Sequence, residues 1–347
     1  MRTTRPPVLV LAALLLVACH HGSTAPTTPR PLAAVPSAAY LPADISGAVR
    51  VDVAKLRATQ IWARLDKAAN DAGALDSDAH AEAARAHDIL NRTREILVAV
   101  STKDADHGIA VLRGQYTPED LQGWPDEGTP ETYRGHVLDG PNGTDDHRAT
   151  VLGPDTLVLG STAWVRHAVD VTIDGPQAGV APSRAIALLP KEGDIAVAFA
   201  PDAAEQQRAD VREASGWLSF ANGAHARAHV VAEDAEVAAA LVKHLLETQQ
   251  QLMAEQLVHV AKLDAVIESF RVERHGQEVF ASLDIDQPTL DDVVNRLEAV
   301  VSMMLSAQSN NAKSGAPSSK AGAPSSKAGA PSGAGAPSSK TGAPSAR

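Results

Sequence analysis

Val49, Val51 and Val53 alternate with Arg50 and Asp52, the period-two pattern of a half-buried strand. An Ala-rich stretch from about Ala54 to Ala72 then predicts a helix, and Asp78 is placed to cap a second over residues 79 to 94. "EILVAVS" and "HGIAVLRG" read as a hairpin with "KDAD" as its turn. "TPEDLQGW" reads as a short helix with Pro118 in its first turn. Three more strands are expected in "ETYRGHVLDG", "HRATVLG" and "DTLVLGS", the last two joined through Gly153-Pro154-Asp155. "TAWVRHAVDVTI" follows as a helix.

The pattern then begins again. "GDIAVAFAP" predicts a strand and Asp202 to Ala214 a helical stretch. "GWLSFANGAHARAHVVAE" predicts two strands turning at Asn222-Gly223. Asp234 is positioned to cap a long helix to about Val260, with Val237, Leu241, Leu245, Leu252 and Val260 on its buried side. "FRVERHG" and "QEVFASLDID" form a hairpin at Gly276, and a last helix is expected from Thr289 to Leu305, with Pro288 and Thr289 at its start. The expected fold class is therefore α+β: antiparallel sheets with helices packed on them, organised as two related half-domains over 41–178 and 179–308. Both halves end in a hairpin followed by a helix, and their sequence identity is too low to prove duplication.

The ends of the chain carry a different pattern. Residues 1–18 have a charged start at Arg2 and Arg5 and an apolar run from Val8 to Ala18. That run is shorter than the roughly 20 residues of a membrane span and has the layout of an export signal. Residues 19–40 are rich in Pro, Ser, Thr and Ala, the composition of a flexible spacer that would span about 25 Å. From 309 to 347 "GAPSSKA" recurs, and Gly, Pro and Ser at this density cannot offset the entropy of ordering, so a disordered tail is expected.

Leu16-Val17-Ala18-Cys19 resembles the lipobox of bacterial lipoproteins. The resemblance implies lipidation of the Cys19 sulfur, cleavage after Ala18 and acylation of the new amino terminus. It thus implies a membrane partner reached through a lipid anchor. Two or three acyl chains would hold the chain stably, because each buried CH₂ contributes about 0.8 kcal/mol and a single chain anchors only marginally. His20 stands where an inner-membrane retention signal usually places Asp, which points to the outer membrane. The phrases "LPADISGAVRVDVAKL" and "DTLVLGSTAWVRHAV" resemble a diffuse set of uncharacterised exported bacterial proteins with α+β bodies. That likeness carries no catalytic residue.

Cys19 is the only cysteine among 347 residues. Once it is lipidated, neither a disulfide, a thiolate metal site nor a thiol nucleophile is available to the body. All 42 acidic side chains lie between residues 41 and 312, whereas eight of the 31 basic ones (Arg2, Arg5, Arg30, Lys313, Lys320, Lys327, Lys340 and Arg347) lie outside. A body so acidic, with aromatics at only 3%, excludes nucleic acid as a partner. The evenly spaced cations of the tail fit either a plain spacer or a weak contact with anionic envelope polymers.

Candidate chemistry is sparse. His80 and His87 are seven residues apart near Asp76, too wide for the i,i+3 or i,i+4 pairs that close on zinc. Capping by Asp76 and Asp78 with solvated histidines accounts for them. His20-His21 form at most a weak flexible metal site. Asp139, Asn142, Asp145, Asp146 and His147 gather oxygen ligands around two glycines but do not match an EF-hand. Ser161 and Ser215 lack a nucleophile elbow, and no glycine-rich phosphate loop occurs. Asp291-Asp292 sit where a helix dipole favours them. No catalytic residue, metal ligand or cofactor is assigned, and lipidation at Cys19 is the one site. The favoured function is a non-enzymatic envelope lipoprotein whose body binds a protein or small ligand or serves as a scaffold. The alternative is an envelope hydrolase with an unrecognised active site, for which Asp146 and His147 are the pair to inspect.

Overall fold

The computed structural model describes residues 36–299 apart from 65, 67–76, 103–106, 122–128, 141–145, 177–181, 202–209, 256–257, 260–262 and 297–298. After a 3₁₀ turn at Ser37–Tyr40, the elements run in this order. The first half contains β1 (Gly47–Asp52), α1 (Val53–Arg57), α2 (Ser77–Arg92), β2 (Glu95–Val100), β3 (Gly108–Arg113), β4 (Glu131–Tyr133), β5 (His136–Leu138), β6 (His147–Val151), β7 (Thr156–Ser161) and α3 (Thr162–Asp174). The second contains α4 (Arg184–Leu188), β8 (Ile195–Phe199), β9 (Val211–Ser219), β10 (Gly223–Ala232), α5 (Ala235–Ala254), α6 (Asp264–Glu268), β11 (Arg271–His275) and β12 (Glu278–Asp286). Residues 287–296 are helical.

Ten strands form one antiparallel sheet in the order β11-β12-β10-β9-β8-β1-β2-β3-β7-β6, with β4 and β5 as a separate hairpin. The chain is thus α+β, and its sheet divides at β1 and β8. Outward from that seam the first half reads β1-β2-β3-β7-β6 and the second β8-β9-β10-β12-β11. In each half the first three strands are laid down in sequence and the last hairpin is inserted with its second strand inward. The seam is an ordinary ladder, with Ala48 opposite Ala198 and Val49 opposite Val197.

Alternation along each strand sorts side chains onto two faces. On the front face, Leu97, Ala99, Ile109, Val111 and Val158 pack against Trp164, Val165, Ala168 and Val169 of α3. Burying each of those larger apolar side chains contributes roughly 1.5–3 kcal/mol. On the back face, Leu112, Ala149 and Leu157 meet Ile89 of α2. The second half distributes its helices differently. Val230, Val272 and Val279 receive Val237, Leu241 and Leu245 of α5, and Ala224 and Ile285 receive Leu290 and Val294 from 287–296. Both of these helices lie on the back. The cause is visible in β12, whose back-facing residues are Val279, Ala281, Leu283 and Ile285 and whose front-facing ones are Phe280, Ser282, Asp284 and Asp286. The apolar stripe of a helix goes where apolar surface waits for it.

Several expectations shift at their boundaries. The first helix is split at Thr59, whose hydroxyl accepts the Trp62 N–H at 3.3 Å and restarts the helix as a cap. Residues 211–214, expected to be helical, form the start of β9. The helix capped by Asp234, which accepts from Glu236 N and Val237 N at 2.8 Å each, ends at Ala254 instead of Val260. "ETYRGHVLDG" is a small hairpin turning through Arg134 and Gly135, both at positive φ.

Candidate functional site

Among the described residues, the front face of β9–β12 carries no helix of the kind that covers the first half. Strand registers place Trp217, Arg227, Ser282 and Arg271 in one cross-strand row, continued inward by Ala196 and Arg50. The next row holds Ser215, His229, Phe280 and Glu273. Together with Pro190 and Glu192 from the connection before β8, the members of these two rows on β9, β10, β12 and β11 line an open cleft of about 380 Å³. Ser215 and Ser282 floor it, and neither hydroxyl makes a hydrogen bond among the described residues.

Phe280 is held upright by its neighbours. The His229 ring stacks on it with centroids 4.6 Å apart and planes 12° apart, and His275 meets it edge-on at 5.7 Å. Even so, Phe280 remains 38% exposed. His229 Nε2 lies 3.4 Å from Glu278 Oε2 without the alignment of a hydrogen bond. Across the cleft the Arg227 guanidinium sits over the Trp217 ring, 5.9 Å from its centroid. Arg227 also donates to the Asp284 carboxylate at 3.0 Å, as does His225 Nδ1 if protonated there. The hydrogen bonds from His225 and then Arg227 hold the Asp284 carboxyl below the usual carboxylate range.

Of the residues singled out in the sequence, Ser215 lines the cleft, and the other described ones lie elsewhere. Cys19, His20-His21, Asp76, Asn142 and Asp145 are outside the described residues, as is the tail. Asp78 and His80 stand in the first turn of α2, which begins at Ser77. His87, expected in solvent, is 3% exposed, with Nε2 2.6 Å from Asp66 Oδ1 and Asn91 alongside. It ties α2 to the helical turns after α1. Asp139 is bridged to Ala149, and its carboxylate accepts Gly140 N–H at 3.0 Å. Asp146 and His147 are both exposed at the start of β6 and do not line the cleft. Ser161 is buried at the head of α3. Asp291 accepts from Gln287 at 2.9 Å and pairs with Arg64, and Asp292 pairs with Arg296. Among the described residues no group of three or more His, Cys, Asp or Glu side chains could hold a metal ion. None of their helices is long and apolar enough to cross a membrane.

Sequence reading passed over the cleft, although "HARAHVV" carried a signal. His225, Arg227 and His229 alternate with Ala226, Ala228 and Val230, so one face of β10 is apolar and the other is polar and aromatic-facing. Among the described residues, these features define an α+β body with a ten-stranded antiparallel sheet and one aromatic-bearing sheet face that no helix covers. No protein-family model matches the chain, and no curated protein matches it. Among solved structures it is similar to TP0453. Crystal form III matches at 9% identity over 78% of this chain and 99% of that one, with a TM-score of 0.43. Crystal form IV gives 9% identity, 78% and 97% coverage and a TM-score of 0.41, and crystal form I gives 8%, 77% and 98% with 0.40. These values carry neither an activity nor a ligand across.

Proposed function

We propose that this chain is a non-enzymatic lipoprotein of the bacterial cell envelope, anchored through lipid on Cys19 and sorted to the outer membrane. Its α+β body binds a partner or ligand through the open front face of the second half. The address rests on Leu16-Val17-Ala18-Cys19, with the apolar run before it and the Pro/Ser/Thr-rich spacer after it. The observation that carries binding is Phe280, a large aromatic left 38% exposed on a sheet face that no helix among the described residues covers. In a chain with only 4 Phe, 4 Trp and 3 Tyr, exposing one beside a second aromatic forgoes burial that the core could use.

Mass spectrometry of the protein taken from its own envelope tests the anchor. The expected N-terminal peptide begins at Cys19 and carries a diacylglyceryl group and an amide-linked acyl chain. The Cys19→Ala protein is expected to remain uncleaved by this route and to leave the membrane once freed from its signal segment. A Cys19→Ala protein still processed after Ala18 and still membrane-bound would overturn the proposal.

A further inference from the structure

We infer that the cleft on the front face of the second half is a saccharide site that takes a neutral, hydroxyl-rich pyranose chain. The inference rests on the proposed binding role of this face and names its ligand class. Four features of the cleft point the same way.

The first is shape. An open cleft of about 380 Å³ lies at the low end of the roughly 300–1,000 Å³ of small-ligand sites. The second is the pair of aromatic rings. A pyranose ring presents a face of C–H bonds that packs on an aromatic face, and its hydroxyls remain at the edge. Trp217 and Phe280 stand two strands apart on the same front face, one on β9 and the other on β12. His229 stacks on one face of Phe280 and His275 meets it edge-on, which fixes the ring and leaves it 38% exposed. A ring fixed in advance loses little entropy on contact.

The third is charge. The lining holds Arg227 and Arg271 with Glu192 and Glu273, so its formal charge balances although the body as a whole is strongly acidic. A balanced lining gives no electrostatic preference for an anion or a cation. It does offer paired donors and acceptors for vicinal hydroxyls, which can both give and receive hydrogen bonds. The fourth is the floor, where Ser215 and Ser282 present hydroxyls with no hydrogen bond among the described residues. An apolar partner would leave those groups unsatisfied, whereas a polyhydroxylated one satisfies them.

The test uses the full chain in a polyoxyethylene detergent free of sugar. Cellotetraose, maltotetraose and chitotetraose are titrated by calorimetry, with tetragalacturonate as the charged comparison. At least one neutral tetramer is expected to bind with a Kd between about 10 μM and 1 mM, an affinity natural to a small open site. Phe280→Ala and Trp217→Ala are each expected to weaken it about tenfold or more, with unchanged circular dichroism. Phe280 is exposed, so its variant remains informative if the Trp217 variant misfolds. Absence of binding by all three neutral tetramers at about 5 mM, binding indifferent to Phe280→Ala, or tighter binding of tetragalacturonate would each overturn the ligand class. A photo-crosslinking residue at Ser282 in living cells separates the two readings. A specific protein adduct with no saccharide binding overturns the saccharide and leaves the binding face standing. No adduct and no saccharide binding overturns both.

Discussion

The hydroxyl of Tyr116 lies 2.7 Å from Thr93 Oγ1 in the interior of the first half. Thr93 Oγ1 itself donates to the Ile89 carbonyl at 2.7 Å, so the phenol is the donor and Thr93 the acceptor. The pair fastens the last turn of α2 to the segment after β3. Tyr116 is 3% exposed and Thr93 fully buried.

Burial pushes the Tyr116 phenol up to about 12. An unfolded tyrosine ionises near 10. Below that value both states keep the proton and the full stability is present. Between about 10 and 12 only the unfolded state loses it, so stability falls as the pH rises, by roughly 3 kcal/mol over two pKa units. Urea unfolding measured from pH 8 to 12 is expected to show this loss, and Tyr116→Phe is expected to remove most of it. An unchanged alkaline slope in the phenylalanine variant would contradict the assignment.

Acid stability follows from a different set of groups. Asp120 has burial against it, yet Arg92 donates to both its oxygens at 2.8 and 2.7 Å and Thr117 N–H at 2.7 Å, and its carboxyl lies below the usual value. Asp174 is lowered by its hydrogen bonds from Arg134, and Asp284 by those from His225 and Arg227. A carboxylate with a depressed folded pKa contributes stability above its unfolded pKa of about 4 and loses it as the pH falls through the folded value. The urea midpoint is therefore expected to hold from pH 7 to about 5 and to drop below about 4. Asp120→Asn should cost on the order of 2 kcal/mol at neutral pH and flatten that acid limb, which equilibrium unfolding at pH 3 and pH 7 will show.

Most strands were legible because they alternate in pairs around turns that demand special residues. Asn222-Gly223 and Gly276 mark two hairpins because their backbones have positive φ. Val49 and Val51 mark β1 because one side of it is solvated less than the other. The error at 211–214 has a plain cause. "VREA" has helical propensity, and the pairing of Val211 with Ala232 and Glu213 with Val231 overrides it. Strand order was not legible, since local pattern does not encode which distant strand becomes a neighbour. The cleft was missed for the same reason. Trp217, Arg227, Phe280 and Arg271 are far apart in sequence, and only the registers of four strands bring them to one face.

Gly160 is expected to tolerate no side chain. It has φ +156°, and a Cβ there would lie 2.2 Å from the Gly108 carbonyl oxygen and 2.7 Å from Ile109 Cα on the adjoining strand. Both obstacles are backbone, so β3 and β7 would have to separate where they carry the core beneath α3. Gly160→Ala should lower stability by about 2–3 kcal/mol, at the upper end of ordinary substitutions. Gly135→Ala is the control, because its site has nothing within 4 Å. Its positive φ alone should cost about 1 kcal/mol. Thermal unfolding of the two variants will rank them.

Arg113 closes the first half where the chain enters it. The side chain is 5% exposed, 5.0 Å over the Tyr40 ring, and 3.7 Å from Asp155, and it donates to Ser37 Oγ and to Thr156 Oγ1. Ser37 in turn donates to Glu95 at 2.6 Å. One guanidinium therefore joins the 3₁₀ turn at 37–40 to β2, β3 and β7. Arg113→Met keeps much of the apolar stem but removes every donor, leaving the hydroxyls of Ser37 and Thr156 without that partner. A loss of about 2–3 kcal/mol is expected, less than for a fully buried ion pair because Asp155 is partly solvated. The loss should be accompanied by release of residues 37–41 from the sheet. Hydrogen exchange at Ala39 and Leu41, whose amides bond to Pro36 and Ala38 carbonyls at 2.9 and 3.3 Å, reads that release directly. Faster exchange there with β8–β12 unchanged is the expected outcome. Uniform acceleration across both halves would mean instead that Arg113 supports the whole sheet and not this junction.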